Sequence, residues 1–306
     1  MITPIPLDEP QAPTPAAVAD QAGRNYWQAA FKRLRRNRIG MFSGGLLLFF
    51  VLIAVTAPLL AALFTHTNYR SIDLANTFAP PGSPGHILGT DDLGRDELTR
   101  LLFGAQVSMG IGFLAVAVAL TIGAAVGLVA GYYGGLIDGV LMRFVDVILA
   151  IPSIFLFILM SILFKPSTIT LALIIASVGW GSIARLVRGE VLSVRARDFM
   201  MATRALGASD GRLILRHLLP NVLHVLIVFA SLYLGSVILI EAALDFLGLG
   251  ITPPTPSWGN MLTNSQTFFF HSRWLVLWPG VTIFFAVLAA NLFGNAVRDA
   301  FDPRLR

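Results

Sequence analysis

The chain has 306 residues, of which 56% are hydrophobic and 13% charged, and its mean hydropathy is +0.75. A soluble domain carries about 25% charged residues, so a soluble globular enzyme and a disordered chain are both excluded, and the length suits about six membrane helices of ~20 residues. The net charge is +5 with no cysteine, which excludes disulfides, thiolate metal sites and thiol catalysis; since the basic residues flank apolar runs, the expected partner is an anionic lipid bilayer face and not nucleic acid.

Residues 1–24 include Pro4, Pro6, Pro10, Pro13 and Pro15 and read as a disordered cytoplasmic tail. Residues 1–23 lack a basic stretch followed by an apolar core, so the first span is expected to stay as an anchor. Over 25–38, Tyr26, Trp27, Ala30, Phe31 and Leu34 recur at helical spacing opposite basic residues, as in an interfacial helix on the inner leaflet. Region 39–105 then holds the first span, Gly40 to about Phe64, and an external loop. In that loop Thr90, Asp91 and Asp92 are placed to cap a solvated amphipathic helix through Arg95, Asp96 and Glu97. His86, Asp91 and Asp92 lack a recognised metal-ligand spacing.

Region 106–297 carries five more spans: about Gln106–Tyr132, a short one after Asp146 whose helix begins before Arg143, then Thr168–Ile183, Asn221–Phe246 and Trp274–Val297. Spans two and six are rich in Gly and Ala, which permits close helix packing. Of 22 basic residues, 17 fall on the side of the two termini and of the segment 184–221, so six crossings with both termini cytoplasmic are expected. The C-terminal tail is 298–306. Arg143 and Asp146 stand at i, i+3 near the cytoplasmic start of span three and are expected to pair, either at the interface or in a gate region.

Segment 184–221 is long and basic for a connector. Phe199, Ala202, Ala205 and Leu206 share a helical face, Gly207 can end that helix, and Ser209 can cap a second short helix before Pro220. Such a hairpin suits a docking knob for another protein. Gly207 is expected to allow a helix crossing that a side chain would block, with a positive φ as a further expectation, and Phe199, Met200, Ala202 and Leu206 are the apolar contact candidates. Beyond span five, Gly248, Gly250, Pro253, Pro254, Pro256 and Gly259 break the helix, with Trp258 and Phe268–Phe270 as expected interface anchors. Within span five, Ser236 and Glu241 are candidates for a translocation path; Glu241 could instead pair with the external loop.

GTDDLGRDELTR at 89–100, GYYGGLIDGVLMRFVDVILAIPS at 131–153, RALGAS and RHLLPN within 204–221, LDFLGLGITPPTPSWG at 244–259 and RDAFDPRLR at 298–306 follow in this order. The chain thereby resembles, over about 27–306, the second permease of bacterial dipeptide, oligopeptide and nickel ABC importers, a group that includes glutathione importers. The resemblance implies an all-α polytopic protein with the type I importer permease fold, like that of methionine importers. It implies a homologous permease, two ATP-binding cassette subunits and an external binding protein or lipoprotein as partners. ATP and magnesium are then expected on the cassette subunits and no cofactor on this chain. The resemblance implies a coupling motif whose glycine is Gly207 and whose closing Leu-Pro is Leu219 and Pro220, with Asp198, Phe199, Met200, Ala202, Leu206, Gly207, Ala208 and Ser209 as the ATPase-coupling candidates. The motif's Glu-Ala-Ala positions read Met201, Ala202 and Thr203, so the usual glutamate is missing and Asp198 is the candidate replacement.

The chain has no GxxxxGK[ST] loop and no catalytic or metal constellation, so energy must come from a partner or an ion gradient. An ion-coupled transporter would need titratable groups at mid-membrane; Arg143, Asp146, Glu241 and Asp245 all stand toward span ends.

Overall fold

The computed structural model describes residues 27–301. The expected tail 1–24, Tyr26 and the last residues of 298–306 lie outside them. After a helical segment α1 (27–36), the helices are α2 (Arg38–Phe64), α3 (Glu97–Tyr133), α4 (Gly135–Ala150), α5 (Ser153–Leu163), α6 (Thr168–Arg195), α7 (Asp198–Ala205), α8 (Asp210–Arg212), α9 (Leu219–Phe246), α10 (Ser265–His271) and α11 (Trp274–Phe301). Among the described residues five helical stretches are long and apolar enough to cross a membrane, and α4 with α5 makes a sixth if that bent pair is one span.

The bend differs from the single helix expected for span three. α4 and α5 meet at 85°. Pro152 disfavours helical backbone at the residue before it, and Ile151 is accordingly extended at φ −87°, ψ 127°. The helix does begin well before Arg143, at Gly135. Its start is a sharp turn out of α3 through Gly134, φ +68°, a conformation costly for any residue with a Cβ.

α3 and α6 form the central pair. A Cβ on Gly123, Gly127 or Gly131 would come within 2.6–2.7 Å of Ile183, Ala184, Val187 or Val191. These glycines repeat every four residues, so they share one face of α3 and let two backbones approach as closely as side chains allow. α2 buries only a stripe of mostly small residues, Gly40, Ser43, Ala54, Ala57 and Ala61 with Phe50 among them. It leaves Leu48, Phe49, Leu52, Val55 and Leu59 exposed, as suits a helix facing acyl chains.

The bundle has a basic end and an opposite end. At the basic end, Ala30 of α1 is buried, and Trp27 packs edge-on against Phe301 at 5.0 Å. Phe31 is left exposed. At the opposite end the segment around the start of α3 is buried and not solvated, against expectation. Thr90, Asp91, Arg95, Asp96, Glu97, Thr99 and Arg100 are all buried. The cap of α3 is Asp96, whose carboxylate accepts the Thr99 N–H at 2.8 Å, not Thr90, Asp91 or Asp92.

Candidate functional site

The basic end holds the segment singled out as a docking knob. α7 ends where expected: the Gly207 N–H donates to the Arg204 carbonyl at 3.0 Å and the Ala208 N–H to that of Thr203 at 3.3 Å. This is a Schellman ending, with Gly207 at φ +81°. A Cβ at Gly207 would meet nothing within 4 Å, so the expected steric reason for this glycine is corrected, and the positive φ is what requires it. Ser209 precedes α8 but makes no side-chain cap.

The second helix of the hairpin is not separate. α8 passes through a π-helical stretch, Leu213–Leu218, into α9, so Pro220 lies within one continuous rod and does not precede it. A proline ring crowds the carbonyl four residues earlier, and a widened π turn just upstream relieves that contact.

Of the apolar candidates, Leu206 is 89% exposed, and Phe199 and Ala202 are exposed beside it. Met200 is buried in the core and is corrected as a contact residue; its neighbour Met201 is exposed instead. Asp198 is exposed in the first turn of α7, and Ala208 packs against the core.

Residues that sequence reasoning missed hold the hairpin in place. The Tyr132 hydroxyl donates to Asp210 at 2.5 Å and accepts from Arg204 Nη2 at 3.1 Å. The Arg204 guanidinium also lies 5.5 Å from the Tyr132 ring centroid. Arg188 of α6 grips Asp138 of α4 through two nitrogens, at 2.5 and 2.6 Å. The expected Arg143–Asp146 pair is not formed: Asp146 accepts from Arg185 of α6 at 2.5 Å, and Arg143 is exposed. Neighbours on another helix compete with the i, i+3 partner, and periodicity alone is blind to them.

At the opposite end, a polar network locks the loop after α9. Asp245 accepts the Ile251 N–H at 2.5 Å and the Ser257 hydroxyl. Asn260 Nδ2 donates to the carbonyls of Ile251, at 3.0 Å, and Thr255, at 2.8 Å. Trp258 is fully buried and is corrected as an interface anchor: its Nε1–H donates to the Leu101 carbonyl at 3.2 Å and its backbone N–H to Ser108 Oγ at 3.1 Å. The Ser108 hydroxyl donates to Glu241 at 2.9 Å. Glu241 is thus sealed inside the chain while Ser236 is exposed, so the two do not share a path-facing surface. Glu241 is linked to the loop after α9 through Ser108, which accepts the Trp258 N–H.

A second cluster surrounds the start of α3. Asp91 accepts the N–H groups of Leu93 and Arg95 at 2.9 Å each and the Arg95 Nε–H at 2.7 Å. His86 Nδ1 lies 2.9 Å from Asp96. In the same loop, the Asn76 amide and the Ala75 N–H hold the Asp73 carboxyl below its ordinary pKa. Among the described residues no group of three or more His, Cys, Asp or Glu could hold a metal ion.

Residues 123–306 match the binding-protein-dependent transport system inner membrane component family. Residues 25–81 match the N-terminal transmembrane domain of oligopeptide transport permease C. The chain is 42% identical to the dipeptide transport system permease protein DppC of Alkalihalophilus pseudofirmus, over 99% of this chain and 97% of that one.

The chain belongs to this family of binding-protein-dependent permeases.

It is also 34% identical to the oligopeptide transport system permease protein OppC of Bacillus subtilis, over 92% of this permease and 90% of that one. A third relative is the glutathione transport system permease protein GsiD of Pectobacterium atrosepticum, 35% identical over 94% and 95%. The all-helical bundle agrees with the type I importer permease fold. As a permease, the protein presents two structured ends: a protruding apolar hairpin at the basic end and a tightly hydrogen-bonded cap at the other.

Proposed function

We propose that this permease is the membrane subunit of an ATP-driven importer of dipeptides and oligopeptides. It forms the path with a homologous permease and receives cargo from an external binding protein. Two cytoplasmic ATP-binding cassette subunits, holding ATP and magnesium, drive it. The carrying observation is the hairpin at the basic end. Leu206, Phe199 and Met201 are exposed on a short helix pinned at its base by Tyr132, Arg204 and Asp210. An apolar knob on a rigid stalk suits a groove in a partner. The basic residues around it orient that end toward the cytoplasm, which supports the inner-membrane placement with both described ends inside.

Two of the three relatives named above carry peptide transport in their names, which favours that cargo. Reconstitution tests it. Vesicles holding both permeases, the cassette subunits and the binding protein should take up labelled dialanine only with ATP inside the compartment that bears the hairpin. Uptake of glutathione with no uptake of di- or oligopeptides would move the assignment to the glutathione branch.

A further inference from the structure

The opposite end of the bundle contains a cavity of about 260 Å³ between the start of α3 and the loop after α9. Its charged lining comprises Glu97 and Arg100 of the first turn of α3 with Asp91, Asp92, Arg95 and Asp245; hydrogen bonds and ion pairs hold Asp91, Arg95 and Asp245 to their own neighbours. Glu97 is 2% exposed and Arg100 4% exposed, and both border the cavity. Glu97 Oε1 has no hydrogen-bond partner, nor do Arg100 Nε and Nη1. Arg100 Nε comes within 3.4 Å of Asp91, but that carboxylate already accepts three hydrogen bonds from Leu93 and Arg95. Ile251, Met261, Phe268 and Leu275 supply apolar surface to the same cavity, beside the polar Asn260 and Thr263.

A buried carboxylate and a buried guanidinium without full partners are costly, and each is normally satisfied by a counterpart. Here the two orphans are complementary. One accepts and the other donates, and at i, i+3 their side chains leave one helix face a few ångströms apart. A ligand that satisfies both carries a cationic donor and an anionic acceptor at short separation. The volume is near the lower end of ligand cavities, roughly 300 Å³, and so limits that ligand to a small molecule.

We infer that this cavity is a binding site for a small zwitterion, an α-amino acid or a dipeptide. Its ammonium meets Glu97, its carboxylate meets Arg100, and its side chains lie against Ile251 and Met261. The inference rests on the peptide-importer reading only in the choice of probe.

The test uses the complete transporter in nanodiscs without its binding protein. Four probes are titrated: dialanine, N-acetyl-dialanine, dialanine amide and the doubly blocked N-acetyl-dialanine amide. Each blocked end should weaken binding roughly tenfold or more, as expected for loss of a charge-assisted hydrogen bond. Glu97→Gln should remove the preference for a free amine and keep that for a free carboxylate; Arg100→Gln should do the reverse. Thr252→Trp, at the exposed rim, should weaken dialanine binding without touching either charge. Equal binding of all four probes, no binding of dialanine at millimolar concentration (a cavity holding water only), or end preferences unchanged in Glu97→Gln and Arg100→Gln would overturn the inference. ATP-driven dialanine uptake alongside any of these outcomes would leave the proposed function standing. Charge-selective binding without peptide uptake would do the opposite.

Discussion

Gly207 and Leu206 are adjacent, and different forces fix them. At Gly207 the backbone is left-handed and the surrounding space is open. Gly207→Ala therefore costs roughly 1–2 kcal/mol of local backbone strain without a clash. Gly207→Asn should be nearly neutral, because asparagine tolerates this region. The expected outcome is uptake retained by Asn and reduced by Ala, with equal membrane insertion for both. Leu206 is 89% exposed, so Leu206→Asp removes no packing of its own chain. Its melting temperature in detergent should be unchanged while co-purification of the ATP-binding cassette subunit falls. Met200→Asp, at a position 4% exposed, should instead destabilise the permease itself. The sequence placed the helix end and the glycine correctly, because capping is a local signal. It could not tell Met200 from Met201, because an eight-residue helix with apolar residues on several faces does not declare which face is inward.

Pairs of helices carry the next level of specification. Gly127→Val would drive a side chain into Ala184 and Val187, and overpacking of this kind costs about 1–3 kcal/mol. The expected readout is a lower melting temperature in detergent, larger than for Gly139→Val, where a Cβ meets nothing within 4 Å. Between α4 and α6 the charges can be exchanged. Reversal of Asp138 or Arg188 alone should reduce activity, and the double reversal should recover part of it. The same exchange at Asp146 and Arg185 should show weaker coupling, about 0–1 kcal/mol, because both side chains are about half exposed. No coupling is expected between Arg143 and Asp146. Apolar run lengths made five of the spans legible, and the Gly and Ala content of α3 announced its close packing. The bend at Ile151–Pro152 was written in the proline, but a single apolar run concealed it. The buried clasp of Asp91, Arg95 and Asp96 reads in the sequence as a solvated helix, because local charge pairing looks the same there whether water or protein covers it. Ser108, Ser257 and Asn260 gave no signal at all: their partners lie up to 150 residues away or depend on how an irregular loop folds.

At the scale of the whole molecule, the two ends have opposite characters, and the proposed orientation rests on charge. The chain has no cysteine, so single cysteines report cleanly. Thr77→Cys and Gln266→Cys, both at exposed positions, should react with an impermeant thiol reagent in intact cells, and Ser193→Cys only after permeabilisation. Labelling of Ser193→Cys in intact cells would reverse the orientation and remove the hairpin from the ATPase side. Coupling through that hairpin is tested most directly by photo-crosslinking in the assembled transporter. Benzoylphenylalanine at positions 199, 201 and 206 should form adducts with the ATP-binding cassette subunit, with a yield that changes on adding ATP, and the same group at exposed position 270 should form none. Absence of cassette adducts at all three hairpin positions, in a complex that still hydrolyses ATP during uptake, would contradict coupling through α7.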